Sequence, residues 1–190
     1  MRYVRSVVVI GLDPGTRHFG WGIVARQGTR LIHRAHGIIH TKESDSLAER
    51  LVAIEAGLVE AVRAHAPTDA SVESMFYDKN AQSAAKLGHA RGVALLVCAR
   101  AGLSVSEYAP ALVKRAIAGG GRAEKSQVAQ MIRVVLGLAV IPVADAADAL
   151  AVAVTHLHRS PLMMHNGGAA APARRRPVAK MRNIRGRSPV

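Results

Sequence analysis

The sequence is poor in cysteine, in aromatic residues and in long apolar runs. Of its 190 residues one is cysteine and 3% are aromatic, so a scaffold held together by disulfides is excluded. Cys98 lies in the run GVALLVCAR, which is typical of a small core residue. No apolar run approaches the ~18 residues of a membrane span, and Asp13 interrupts the first one too early for a signal peptide. We expect a soluble cytoplasmic protein without a membrane partner.

Acidic residues are also scarce relative to basic ones. The chain has 26 Lys and Arg against 13 Asp and Glu, a formal net charge of +13. The last 22 residues contain no acid and these basic residues: Arg174, Arg175, Arg176, Lys180, Arg182, Arg185 and Arg187. Such a surplus favours a polyanionic partner, most commonly nucleic acid. We expect residues 1–160 to form one folded domain and residues 161–190 to be a basic, disordered tail.

The apolar patterns predict an α/β fold with a mixed five-stranded sheet flanked by helices. The segments VVVIGLD, HFGWGIVARQG and RLIHRAHGIIHT are typical of three antiparallel strands, with a tight turn at Gln27 and Gly28. Helical spacing follows over residues 46–65, where Ser44 or Asp45 would be the N-cap. A strand ending at Glu73, a helix over 81–100, the strand LSVSEYA and three further helices complete the prediction.

The helix over 81–100 has an unusual row of small residues. They recur at three- and four-residue steps, which places them on one helix face: Ala81, Ala84, Ala85, Gly88 and Gly92. Another helix can approach such a stripe closely. The pattern fits either internal packing or a dimer contact.

Four acids stand where predicted elements begin or end. Asp13 ends the first strand, Glu73 ends the fourth, and Asp145 and Asp148 lie three residues apart at the start of the last helix. If those strands are neighbours and the helix crosses their ends, the four carboxylates converge and either take up protons or bind cations. Taken singly, Asp145 suits an N-cap and Asp13 suits a turn before Pro14.

The ligand chemistry of these acids narrows the choice of metal. Oxygen ligands without cysteine or convergent histidine favour Mg²⁺ or Mn²⁺ over Zn²⁺. Two such ions ~3.5–4 Å apart are a common device for cutting phosphodiesters. The acids therefore favour a metal-dependent nuclease.

With these residues placed, the chain resembles the RuvC family of Holliday junction resolvases over almost all of residues 1–160. The matching stretches are GLDPGTRHFGWGI, Glu73 with MFYDKNAQSAAKLGHARG, EYAP, VKRAIAGGGRAEKSQVAQM and PVADAADALAVAVTHLH. The resemblance implies an RNase H-like fold with Asp13, Glu73, Asp145 and Asp148 as catalytic residues and metal ligands. It also implies two Mg²⁺ ions per active site, with Mn²⁺ able to substitute.

The resemblance further implies how the protein works on DNA. A homodimer would grip a four-way junction and nick two strands of like polarity symmetrically, in homologous recombination and DNA repair. A branch-migration complex of the RuvA and RuvB type would be its partner.

The family's DNA contacts match three residues of this sequence, and two more are candidates. Lys114 and Lys125 fall on positions near the active site and the DNA backbone, although solvated helix charge is the common alternative for lysine. Phe76 falls where the family places an aromatic that wedges or stacks at the junction centre, unless it only anchors its loop. Tyr77 and Arg91 are further candidates for DNA contact.

Three rival classes fit less well. Actin-like and sugar-kinase ATPases have a loop similar to DPGT but need a second domain, and GGGRAEKS is not a phosphate-binding loop because Glu124 replaces the required glycine. A non-catalytic junction-binding protein would have no use for four acids that weaken DNA binding. An RNA nuclease of the same fold stays open, although SAAKLGHARG argues against it.

Overall fold

The computed structural model describes residues 7–74 and 81–160. Phe76, Tyr77 and the predicted tail at 161–190 lie outside the described residues. The elements in chain order are β1 Val7–Asp13, β2 His18–Gln27, β3 Arg30–His40, α1 Leu47–His65, β4 Asp69–Glu73, α2 Ala81–Arg100, β5 Ser104–Tyr108, α3 Pro110–Ala118, α4 Lys125–Val135 and α5 Ala144–Arg159.

The five strands form one mixed sheet in the order β3-β2-β1-β4-β5. β1 pairs antiparallel with β2, β2 antiparallel with β3, and β4 lies parallel to both β1 and β5. The turn from β2 to β3 contains Gly28 at φ +59°, a conformation that favours glycine. The predicted α/β class, the antiparallel meander and the mixed five-stranded sheet are confirmed.

Each face of the sheet is covered by its own set of helices. Ile10 and Leu12 of β1 belong to the core beneath α1 and α2, which also holds Cys98. Val9 belongs to the core beneath α3, α4 and α5. Because successive strand residues point to opposite faces, odd-numbered residues of β1 face α5. Cys98 is 2% exposed, as expected of a core thiol.

Two helix starts differ from the prediction. The N-cap of α5 is Val143 and the helix begins at Ala144, so Asp145 lies inside its first turn and is not the N-cap. Ser46 is the N-cap of α1: its hydroxyl accepts from the Glu49 amide, and the Glu49 side chain accepts from the Ser46 amide. Ser44 and Asp45 were expected there, but a capping box needs Ser or Thr three residues before the Glu, which only Ser46 provides. Among helices in the described ranges, none has the length and hydropathy to cross a membrane.

Candidate active site

Asp13 and Glu73 end two neighbouring parallel strands. Leu12 pairs with Val72 in the register of β1 and β4, so the residues that follow them lie side by side. Ala70 and Val72 belong to the core under α1 and α2, and alternation therefore turns Glu73 to the α5 face, as it does Asp13. The two carboxylates predicted at strand ends thus lie on the same face of the sheet, at the C-terminal ends of two adjacent strands.

Three glycines let α5 lie unusually close to that face. A Cβ added at Gly20 would lie 2.1 Å from the carbonyl oxygen of Asp145, and one at Gly11 would lie 2.0 Å from that of Ala149. At Gly22 it would lie 2.6 Å from Cδ2 of Leu150. Glycine in a strand interior commonly marks such a close backbone approach. The N-terminal half of α5, with Asp145 and Asp148, therefore rests directly against β1 and β2.

The electrostatics of the site show that its acids act on one another. Burial raises the pKa of Asp13 to about 7, and the negative charges of Asp148, Glu73 and Asp145 add to the rise while Lys125 opposes it. Burial, followed by the charge of Asp148, also raises the pKa of Glu73. Like charges in a half-buried site disfavour ionisation in this way. The structure thus brings all four predicted acids into one electrostatic cluster.

Two lysines border the cluster. Nζ of Lys125, at the start of α4, donates to Oδ2 of Asp148 over 2.8 Å, and this bond raises the pKa of the lysine. The positive charge of Lys114, on α3, opposes the rise that burial causes in the pKa of Glu73. Both lysines predicted near the active site are therefore close enough to act on its carboxylates.

The donor set of the four acids suits a hard divalent cation. Among residues 7–74 and 81–160, no three His, Cys, Asp or Glu side chains stand in the arrangement of a ready-made metal site. The oxygen-only donors and the mutual repulsion at Asp13 nevertheless fit a cation that would relieve that repulsion. Asp13, Glu73, Asp145 and Asp148 are the residues that would hold it.

Arg91 lies on α2, on the face of the sheet opposite α5, and contacts the backbone of Glu73 from that side. Its Nη1 donates to the backbone carbonyl of Glu73 over 3.0 Å, and its Nη2 lies 2.6 Å from Oε1 of Glu107. The predicted DNA contact of Arg91 stays a prediction, as do those of Phe76 and Tyr77, which are not among the described residues. The sequence did not predict that Glu107 pairs with Arg91 or that Gly20 lets α5 approach the sheet. The second could have been inferred from the GWG sequence, which places Gly20 and Gly22 on the same strand face.

Comparison with known proteins gives consistent results. The family model described as crossover junction endodeoxyribonuclease RuvC matches residues 9–156. The chain is 56% identical to a protein of that description from Sorangium cellulosum, over 89% of this chain and 96% of the other, and 52% identical to one from Azorhizobium caulinodans, over 85% and 92%.

Solved structures agree. The RuvC of Thermus thermophilus in complex with a Holliday junction substrate superposes with a TM-score of 0.75 at 37% identity, covering 80% of this chain and 93% of the other. The yeast mitochondrial Holliday junction resolvase Ydc2 has a TM-score of 0.56 at 10% identity, covering 77% and 76%, and supports the fold alone.

The sheet order, the acids at the ends of β1 and β4 and the acid pair on the crossing helix define the class of RNase H-like nucleases. Within that class, the chain belongs to the RuvC family of crossover junction endodeoxyribonucleases.

Proposed function

We propose that this chain cuts four-way DNA junctions at the cluster of Asp13, Glu73, Asp145 and Asp148, nicking two strands of like polarity. As a member of the RuvC family it is a nuclease of DNA recombination and repair that needs divalent metal ions. The observation that carries the residue assignment is the placement of the acids: Asp13 and Glu73 end adjacent parallel strands, and the start of α5, with Asp145, packs against Gly20. In keeping with this placement, burial and the charges of the three other acids raise the pKa of Asp13 to about 7. A bound cation would relieve the repulsion among these carboxylates.

The metal chemistry follows from the donors. We propose Mg²⁺, with Mn²⁺ able to substitute, and two ions per active site, because the four donors are carboxylates. Bound divalent cations of this kind lower the pKa of a water and stabilise the leaving oxygen of the phosphodiester. The four carboxylates would hold the cations, and Asp13 would lose its proton on becoming a ligand.

The surrounding side chains bind and orient DNA in this proposal. Lys114 and Lys125 contact phosphates next to the scissile bond, since both already lie beside the acids that would hold the cations. Phe76 and Tyr77 follow Glu73 by three and four residues. We propose that Phe76 stacks on bases at the junction centre and that Tyr77 also contacts the DNA. Stacking contributes ~1–3 kcal/mol per base.

A homodimer would supply two equivalent sites for the two nicks. One face of α2 forms an open groove that includes part of the predicted row of small residues. We call this face the α2 stripe, and it is lined by Ala85, Gly88, His89, Gly92, Val93 and Leu96. Leu96 is 47% exposed, while the opposite side of α2 packs into the core through Ala90, Ala94 and Cys98. An apolar, glycine-containing face of this kind suits close packing against the same face of a second copy.

Two further elements of the proposal concern the cell. We infer that the dimer works with a branch-migration complex of the RuvA and RuvB type in the cytoplasm, where its DNA substrate is found. Membership of the RuvC family supports this inference. Co-purification with the RuvA and RuvB type proteins on a four-way junction would test it.

A nicking assay tests the function. The chain is incubated with a synthetic four-way junction, or with linear duplexes of the same sequences, in Mg²⁺ and in chelator. The proposal predicts paired symmetric nicks confined to the junction and dependent on metal. Tight junction binding without nicks in Mg²⁺ or Mn²⁺ would instead favour a non-catalytic junction-binding protein, and cutting of structured RNA alone would favour an RNA nuclease.

A further inference from the structure

Arg91 is the side chain that joins three elements at the edge of the active site. It lies on α2, and its two guanidinium nitrogens reach the last residue of β4 and the penultimate residue of β5. Nη1 donates to the carbonyl oxygen of Glu73 over 3.0 Å, and Nη2 lies 2.6 Å from Oε1 of Glu107. A planar guanidinium can satisfy two acceptors at fixed angles, which lysine cannot.

The burial of Arg91 separates it from the surface arginines. Its side chain is 13% exposed, whereas that of Arg100, on the same helix and paired with Glu55, is 66% exposed. An exposed pair such as Arg100 with Glu55 contributes little to stability. A mostly buried arginine bonded to a backbone carbonyl instead restrains the main chain at that point, because breaking the bond leaves a buried charge and an acceptor unpaired.

The restrained residue is one whose position matters. Glu73 is the last residue of β4, and its final ladder pair is with Tyr108. The next amide, of Ser74, donates to the carbonyl of Tyr108 over 2.8 Å. Arg91 therefore adds a tether from α2 at the place where the chain leaves the sheet.

We propose that Arg91 is a positioning residue for Glu73: it fixes the backbone from which that carboxylate reaches the site, and it ties Glu73 to the helix that carries the α2 stripe. Ligand side chains must be held within about 0.5 Å of productive geometry. This inference rests on the proposed function for the role of Glu73. It gives Arg91 a task different from the contact with DNA that the sequence predicted, because both of the bonds described are made within the protein.

The role is consistent with the charges around Glu73. The pKa of its carboxyl is shifted by burial and by the charges of Asp148, Lys125 and Lys114, whereas Arg91 bonds to the backbone of Glu73. Arg91 therefore influences the position of Glu73. Removing it should misplace the ligand and weaken metal binding at the site.

The test compares Arg91→Lys and Glu107→Gln with Arg100→Lys as the matched control, an arginine of the same helix with a 2.8 Å carboxylate contact away from the site. Four quantities are measured on the full chain: junction affinity in chelator, nicking rate at saturating junction, the Mg²⁺ concentration for half-maximal nicking, and the rise in melting temperature caused by Mn²⁺. The last requires neither DNA nor activity.

For Arg91→Lys we expect nicking at saturating junction to fall about 10- to 100-fold, the range for loss of a ligand-orienting partner. The half-maximal Mg²⁺ concentration should rise and the Mn²⁺-induced melting shift should shrink, with junction affinity within about threefold of wild type. Glu107→Gln, which frees the arginine only partly, should show the same pattern more weakly. Arg100→Lys should match wild type in all four quantities.

Two results would overturn the proposal. One is junction binding weakened tenfold or more in Arg91→Lys, with the nicking rate at saturation and the metal response unchanged, which would make Arg91 a DNA contact. The other is no difference from Arg100→Lys. If Arg91→Lys does not fold, Glu107→Gln decides, since its side chain is 52% exposed and an unchanged metal response there refutes the tether. A wild-type chain that fails to nick junctions would refute the proposed function instead, while the Mn²⁺ melting comparison would still test the tether.

Discussion

The ammonium group of Lys125 lies 2.8 Å from Oδ2 of Asp148 and donates a hydrogen bond to it. The lysine therefore engages a carboxylate oxygen that a metal ion would also use. Burial raises the pKa of both Asp13 and Glu73, and the charge of Lys125 opposes that rise, so the lysine partly neutralises the cluster. Lys125 and a cation compete for the same negative site.

Replacing Lys125 with Met should separate metal binding from catalysis. Loss of the positive charge strengthens cation binding in the absence of DNA, because like charge no longer opposes it. Nicking should nevertheless fall, because the phosphate contact is lost. Isothermal titration with Mn²⁺ and single-turnover nicking measure the two effects. Lys114→Met is the comparison variant, with a smaller effect on Mn²⁺ affinity; weaker Mn²⁺ binding in Lys125→Met would contradict the competition.

Gly20→Ala should damage the site through the backbone of α5. The new Cβ would lie 2.1 Å from the carbonyl oxygen of Asp145, so the start of the helix must shift. Overpacking of this kind costs roughly 1–3 kcal/mol or more, and the displaced Asp145 should lower nicking as well. Gly120→Ala is the control, since nothing lies within 4 Å of its added Cβ. Thermal unfolding and nicking are compared, and equal behaviour of the two variants would refute the close packing.

Asp13→Asn should stabilise the metal-free protein, and more so at higher pH. Near pH 4 the carboxyl is largely protonated in the folded state. As the pH rises, the unfolded chain ionises at the ordinary 3.8, whereas folded Asp13 keeps its proton until about 7. Between those two pH values the wild type therefore loses stability progressively relative to Asp13→Asn. Above about pH 7 the difference in unfolding free energy between the two proteins levels off, at on the order of a few kcal/mol.

Melting curves in chelator at several pH values from about 4 to 8 measure this difference. Mg²⁺ should narrow it at pH 8, because the cation stabilises the ionised wild-type site and finds one ligand fewer in the variant. A wild type that gains stability over Asp13→Asn as the pH rises in chelator would show that Asp13 is not held in a repulsive cluster.

The α2 stripe predicts the oligomeric state. Gly88→Arg would place a long charged side chain in the groove, and we expect it to convert a dimer into monomers with reduced paired nicking. Val52→Arg, at a 65% exposed position of α1, is the control. Sedimentation velocity distinguishes the two, and an unchanged dimer in Gly88→Arg would place the contact elsewhere.

The sequence predicted the acids better than it predicted what holds them. Asp13 and Glu73 could be predicted because each ends an apolar strand. Asp145 and Asp148 could be predicted because their three-residue spacing places them on one face of a helix. The parallel pairing of β1 with β4, which brings the acids together, was only a condition of the prediction. It depends on strand order, which is a long-range property.

Contacts between distant elements were the part that local patterns did not reveal. Arg91 lies 18 residues from Glu73 and 16 from Glu107 in the chain, so no periodicity links them, and its basic character pointed to DNA instead. Ser46 was missed as the α1 cap because Ser44 and Asp45 are also good caps, and only the reciprocal bond with Glu49 distinguishes them.

The central claim is that the four acids form a single metal-dependent site, and single-turnover nicking of a four-way junction by Asp13→Asn, Glu73→Gln, Asp145→Asn and Asp148→Asn tests it most directly. Loss of a metal ligand removes several kcal/mol of transition-state stabilisation, so each variant should nick about a thousandfold more slowly or worse. Each should bind the junction in chelator at least as tightly as wild type, because a negative charge near DNA is removed. Normal nicking by any one of the four variants would contradict the account.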